Sequence, residues 1–147
     1  MATVELTGET FESVVDSADM VLVDFWAAWC GPCKMFGPIF ERASERYPDA
    51  VFAKVDTDAQ TDLAQAFGIS SIPTLMIIRD NVVLYAQPGA LPEQALEELI
   101  TKARELDMDE VRASLAKDEA GDEAQDGAEA QGEAAAEAEQ QTQQQVG

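Results

Sequence analysis

The 147-residue chain reads as an α/β protein, with one small mixed β-sheet flanked by helices on both faces, followed by an added helix and an acidic tail. Three observations predict this. Short, nearly continuous apolar runs at 21–26 and 51–55 suit strands buried on both faces. They alternate with stretches whose apolar residues recur at three- and four-residue spacing, as one-sided helices require. Two further runs, 73–79 and 82–86, are separated only by Asp80-Asn81, which reads as a tight antiparallel hairpin.

Each element follows from its local pattern. Residues 4–6 form a short strand. Residues 7–18 place Phe11, Val14, Val15 and Ala18 at helical spacing, with Thr7 as the N-cap. The strand at 21–26 carries a single charge, Asp24. Residues 30–46 are helical, with Met35, Phe36, Ile39, Phe40 and Ala43 on one side. Pro38 should kink that helix, because it lacks an amide donor and crowds the preceding turn. After the strand at 51–55, a short helix at 57–67 ends at Gly68, a residue type suited to a left-handed cap. Beyond the hairpin, residues 92–106 form an amphipathic helix showing Leu96, Leu99, Ile100 and Ala103. Asp107 then caps a last short helix at 108–116, with Val111 and Leu115 as its apolar pair. Up to residue 106 the order is βαβαβαββα. Strands joined through a long helix should run parallel by a right-handed crossover, and the hairpin antiparallel.

The chain thus divides into a domain at 1–106, an additional helix at 107–116 and an acidic low-complexity tail at 117–147. From Lys117 onward the large apolar residues vanish apart from Val146. Burial there cannot offset chain entropy, so the tail reads as disordered. Glu129, Glu133 and Glu137 repeat at four-residue spacing without a partner cation, which disfavours a helix. The formal net charge is −20; nine acids against Lys117 give the tail −8, leaving −12 for the rest. With no Lys/Arg cluster, the chain is unsuited to nucleic acid or to an anionic membrane surface. The start, MATVELTGET, shows no signal peptide, and no apolar run is long enough to span a membrane. The expectation is a cytoplasmic protein, and a monomer.

Cys30 and Cys33 are the only cysteines, and histidine is absent. A structural disulfide closing so short a loop would stabilise little, so redox or metal chemistry is the stronger reading for a pair at this spacing. A structural zinc site usually takes four ligands, so zinc would need carboxylates or a second chain to complete it. No metal is expected. Cys30 falls where a strand ends and a helix begins, and unpaired amides there favour a thiolate. Cys33, three residues on, shares the face of the first helical turn and can attack a mixed disulfide within the molecule. Gly31 leaves access to Cys30, and Pro32 is tolerated in a first turn while stiffening it.

The segment VLVDFWAAWCGPCK at 21–34, followed by Ile72-Pro73-Thr74, resembles the thioredoxin family, and the resemblance covers residues 1 to about 106. It implies the thioredoxin fold and a protein-disulfide reductase that cycles through a reversible Cys30–Cys33 disulfide, maintaining cell redox balance. Cys30 is then the nucleophile, Cys33 the resolving thiol and Asp24 the proton-transfer group for Cys33, its pKa raised by burial. Lys54 corresponds to a lysine near that Asp and tunes its charge. Pro73 is expected to be cis and to face the cysteines, leaving the Ile72 backbone free to pair with an extended substrate. Trp29, Gly31, Pro32, Ile72, Pro73, Gly89 and Ala90 would make a flat docking face, supported from beneath by Trp26. The family further implies no bound cofactor, electrons supplied from NADPH by a flavoprotein thioredoxin reductase, and disulfide-containing proteins as substrates. Gly-Pro between the cysteines resembles the reductant branch. An exported oxidase or isomerase, and a binding module built on the added helix and tail, are the competing readings.

Overall fold

The computed structural model describes residues 2–125, with side chains through 116. In chain order its elements are β1 (Thr3–Glu5), α1 (Phe11–Ser17), β2 (Met20–Trp26), α2 (Gly31–Arg46), β3 (Val51–Asp56), α3 (Thr61–Ala66), β4 (Thr74–Arg79), β5 (Val82–Pro88), α4 (Glu93–Glu105) and α5 (Met108–Gln125). The chain divides into two units, Met1–Leu106 and Asp107–Gly147.

In the first unit the strands lie in the order β1-β3-β2-β4-β5. β1 and β2 both run parallel to β3, while β4 is antiparallel to β2 and to β5. The sheet is therefore mixed, as the long crossover through α2 and the short hairpin require. β2 is central and is buried along nearly its whole length, which explains its unbroken apolar run.

Strand alternation sorts the core into two layers. Met20 and Leu22 of β2, Phe52 of β3, and Leu75 and Ile77 of β4 pack on one face against Phe36 and Phe40 of α2 and Leu96 and Ile100 of α4. Val21, Val23 and Phe25 point the other way, to Val15 of α1, Leu63 of α3 and Phe67 at the end of α3. Each fully buried Phe or Leu in these layers contributes about 1.5–3 kcal/mol. Asp24 lies on the α2/α4 face by the same alternation, next in line after Met20 and Leu22.

Three element boundaries differ from the sequence expectation. α1 starts at Phe11 rather than near Thr7, because residues 7–10 close a turn of their own. The Thr7 carbonyl accepts from the Thr10 and Phe11 amides, and Thr10 Oγ1 accepts from the Thr7 amide at 3.0 Å. Hydroxyl-to-backbone bonds of this kind compete with helix. α3 begins at Thr61 rather than 57, because Asp56 Oδ1 takes the amides of Asp58 and Ala59 at 3.0 and 3.3 Å. The last helix runs from Met108 to Gln125, past the end expected at 116. Its Ala, Glu, Lys and Gln are strong helix formers, and propensity extends the helix where apolar patterning stops. Disorder was expected over 117–147; residues 117–125 are instead helical, and 126–147 lie outside the described residues.

Local chemistry sets the remaining joints. Asp80 and Asn81 take φ of 54° and 67°, the left-handed pair of a two-residue hairpin turn. Gly68 takes φ 64° after α3, and α2 continues through Pro38 as one helix. Asp107 Oδ1 accepts from the Asp109 and Glu110 amides, capping α5 as expected.

Candidate active site

β2 ends at Trp26, and a short loop delivers Cys30 to the N-terminus of α2, where it is the cap residue. The helix amides at this end lack internal partners, and one of them, Cys33 N–H, donates to Cys30 Sγ at 3.1 Å. Pro32 stands at the start of the helix, where its missing N–H removes nothing. Cys30 and Cys33 form a disulfide with Cα atoms 5.2 Å apart. Both are buried, packed with Ala27, Trp26 and Ile72. Gly31 and Pro32 beside them are exposed, while Cys30 itself is only 3% exposed.

The second side of the site comes from the loop before β4. The Ile72–Pro73 bond is cis, and Ile72 O lies 3.7 Å from Cys30 Sγ. Gly89, at φ 111°, donates its amide to Pro73 O at 2.8 Å. The backbone conformation, rather than crowding, is what asks for glycine there, since a Cβ would meet nothing within 4 Å. These contacts bring residues 30, 72, 73 and 89 together, and Ala90 follows, exposed, in the same loop. Trp29 is 69% exposed. Its orientation is fixed by Asp58 Oδ2, which accepts from the indole Nε1 at 3.0 Å.

β2, the strand that leads into the cysteine loop, carries a buried polar group. Asp24 is 1% exposed, and among the described residues neither of its oxygens has a hydrogen-bond partner. Loss of water pushes its pKa up to about 7; the nearby Lys54 ammonium opposes the rise and the Glu41 carboxylate adds to it. Lys54 is its register partner on β3 and extends over the Trp26 ring, 5.2 Å from the centroid. Trp26 packs against the cysteine pair and Lys54 lies beside Asp24.

Sequence reasoning missed the 56–60 loop. Thr57 donates both its amide and its hydroxyl to Trp26 O, at 2.9 and 3.1 Å. The turn made by Asp56 then aims Asp58 at Trp29. The available signal was Asp56-Thr57-Asp58 just past a parallel strand, at the carboxyl edge where α/β sites gather. It also missed Glu41 and its tie to Thr3. Among the described residues no three His, Cys, Asp or Glu gather as a metal site, and no helix is long and apolar enough to cross a membrane.

A Cys-x-x-Cys disulfide at a helix N-terminus, capped by its own helix amide, defines a dithiol–disulfide oxidoreductase. Comparison with known proteins agrees. The thioredoxin family profile matches residues 2–102. The chain is 63% identical over 119 residues to the putative thioredoxin 2 of Streptomyces coelicolor, covering 81% of this chain and 89% of that one. It is 41% identical over 103 residues to the thioredoxin of Bacillus subtilis, covering 69% and 98%. Among solved structures, a mutant thioredoxin from Halobacterium salinarum superposes with a TM-score of 0.67 at 38% identity, covering 71% of this chain and 93% of that one. The chain belongs to the thioredoxin family. It has the thioredoxin fold and is a protein-disulfide oxidoreductase working through Cys30 and Cys33.

Proposed function

We propose that this protein reduces disulfides of other proteins in the cytoplasm as a monomer, and is itself re-reduced from NADPH by a flavoprotein thioredoxin reductase. No bound cofactor is needed, because the electron pair is carried by the two sulfurs. The domain at 1–106 performs this chemistry.

The Cys30 thiolate attacks one sulfur of a substrate disulfide, forming a mixed disulfide and releasing the first substrate thiolate. Cys33 then loses its proton and attacks Cys30 Sγ, releasing the second substrate thiolate and closing Cys30–Cys33. Two electrons have passed to the substrate. Asp24 accepts and returns the Cys33 proton; its pKa near 7 matches that task at neutral pH. Lys54 tunes the Asp24 charge and Trp26 supports the loop. Trp29, Gly31, Pro32, Ile72, Pro73, Gly89 and Ala90 form the docking face, with the Ile72 backbone pairing to an extended segment of the substrate.

The observation that carries this reading is the 3.1 Å donation from Cys33 N–H to Cys30 Sγ at the start of α2. In the reduced protein the same amide favours the Cys30 thiolate over the Cys33 thiol. The test is NADPH consumption by the full chain with thioredoxin reductase and a protein disulfide such as insulin. Catalytic turnover that is lost in Cys30→Ser is the expected result. No turnover with any thioredoxin reductase tried, despite an intact Cys30–Cys33 pair, would overturn the proposal.

A further inference from the structure

A charged cluster lies on the α2 side of the sheet. Asp24 on β2 faces Lys54 on β3 and Leu75 on β4 in register. α4 presents the apolar Leu96 and Ile100 to this layer. β1 places Thr3 opposite Phe52, and the exposed Glu5 opposite Lys54. From α2 come Cys33, Gly37 and Glu41. A Cβ at Gly37 would lie 3.8 Å from Lys54 Nζ, so this part of the helix roofs the ammonium. Glu41 is one helical turn further on, at i+4, and so shares that face.

Glu41 is held there. Thr3 Oγ1 donates to Glu41 Oε2 at 2.8 Å, tying α2 to the first strand. Glu41 Oε1 is buried and, among the described residues, has no hydrogen-bond partner. The field of a carboxylate with one oxygen buried is screened less than that of an exposed one. Two carboxylates near one ammonium share its stabilisation, and the more deeply buried of the two is the one left harder to ionise.

We propose that Glu41 is a positioning residue for the redox reaction: its charge, pinned by Thr3 on the face of α2 that covers Lys54, sets the pH at which Asp24 takes up and gives back a proton. The inference rests on the reading of Asp24 as the proton-transfer group for Cys33. The first strand thereby takes part in the chemistry, although Thr3 and Glu41 touch neither cysteine nor substrate.

The test follows the Asp24 carboxyl carbon by NMR against pH in the oxidised full chain, where neither cysteine titrates. Glu41→Gln should lower its midpoint by about 0.5–1 pH unit. Glu41→Asp, which perturbs packing but keeps the charge, should stay near the wild-type midpoint. The pH profile of release from the mixed disulfide should move with the Gln variant by the same amount. Equal midpoints in wild type and Glu41→Gln would overturn the inference, as would equal displacement by Gln and Asp. Asp24→Asn separates the two claims. If it leaves the release profile unchanged, the proton-transfer reading fails, while the carboxyl midpoint still decides whether Glu41 governs Asp24.

Discussion

Placing Asp24 in the middle of β2 removes a carboxyl from water without giving either oxygen a hydrogen bond. Burial raises its pKa from 3.8 to about 7. Below about pH 4 the group is protonated both folded and unfolded and contributes no pH dependence. Between about pH 4 and 7 the unfolded chain releases the proton while the fold retains it, so stability falls as pH rises. Above pH 7 the full cost is present, on the order of 4 kcal/mol. Urea unfolding of the oxidised protein should therefore show a loss of about 2–3 kcal/mol between pH 5 and pH 8.5 that Asp24→Asn removes. At pH 8.5 the variant should be the more stable protein. A wild-type slope no steeper than the variant's would contradict this. The sequence showed much of this residue's environment, because one charge among Val21, Leu22, Val23, Phe25 and Trp26 has few places to go but inside. What it could not show is the contribution of Glu41, seventeen residues away in the chain and brought near only by the crossover of α2 over the sheet.

Elements were legible wherever one period dominated. β2, β3 and the hairpin were found within a residue or two, because apolar runs bounded by turn residues leave little choice of conformation. Boundaries failed where a side chain outbid the helix for backbone groups, as Thr10 does before α1 and Asp56 before α3. Those contests depend on rotamers that spacing does not record. The end of α4 falls within a residue of expectation, but what holds it is not legible in the spacing. Arg79 on β4 reads in sequence as an ordinary strand-end cation, yet its Nη1 donates to the carbonyls of Ala103, Arg104 and Leu106 at 2.8, 3.1 and 2.9 Å. Those carbonyls have no intrahelical donors, and a cation there also complements the helix dipole. Arg79→Met should cost about 2–3 kcal/mol in urea unfolding, since it removes charged hydrogen bonds from a partly buried helix end. A loss under about 0.5 kcal/mol would mean that water replaces the guanidinium without penalty.

At the scale of the whole molecule, function depends on segments far apart in the chain that meet only in this fold. α2 brings Cys30 and Cys33, the loop before β4 brings Ile72 and Pro73, the turn after β5 brings Gly89, and the loop after β3 brings Asp58 to Trp29. Cys-x-x-Cys alone leaves metal and redox chemistry open; their union with a buried Asp24 and the opposed 72–73 loop is what narrows it. Composition set the acidic segment apart in the sequence but could not fix how far α5 extends past 116, because Ala and Glu serve helix and solvated chain alike. The division of labour between the two sulfurs is the central claim, and covalent trapping tests it most directly. Full-length Cys33→Ser and Cys30→Ser, each reduced and mixed with a protein disulfide, are compared by intact-mass spectrometry at neutral pH. Cys33→Ser should accumulate a stable mixed disulfide on Cys30, and Cys30→Ser should remain unmodified over the same time. Equal trapping on Cys33 in the Cys30→Ser protein, or no adduct on either, would contradict it.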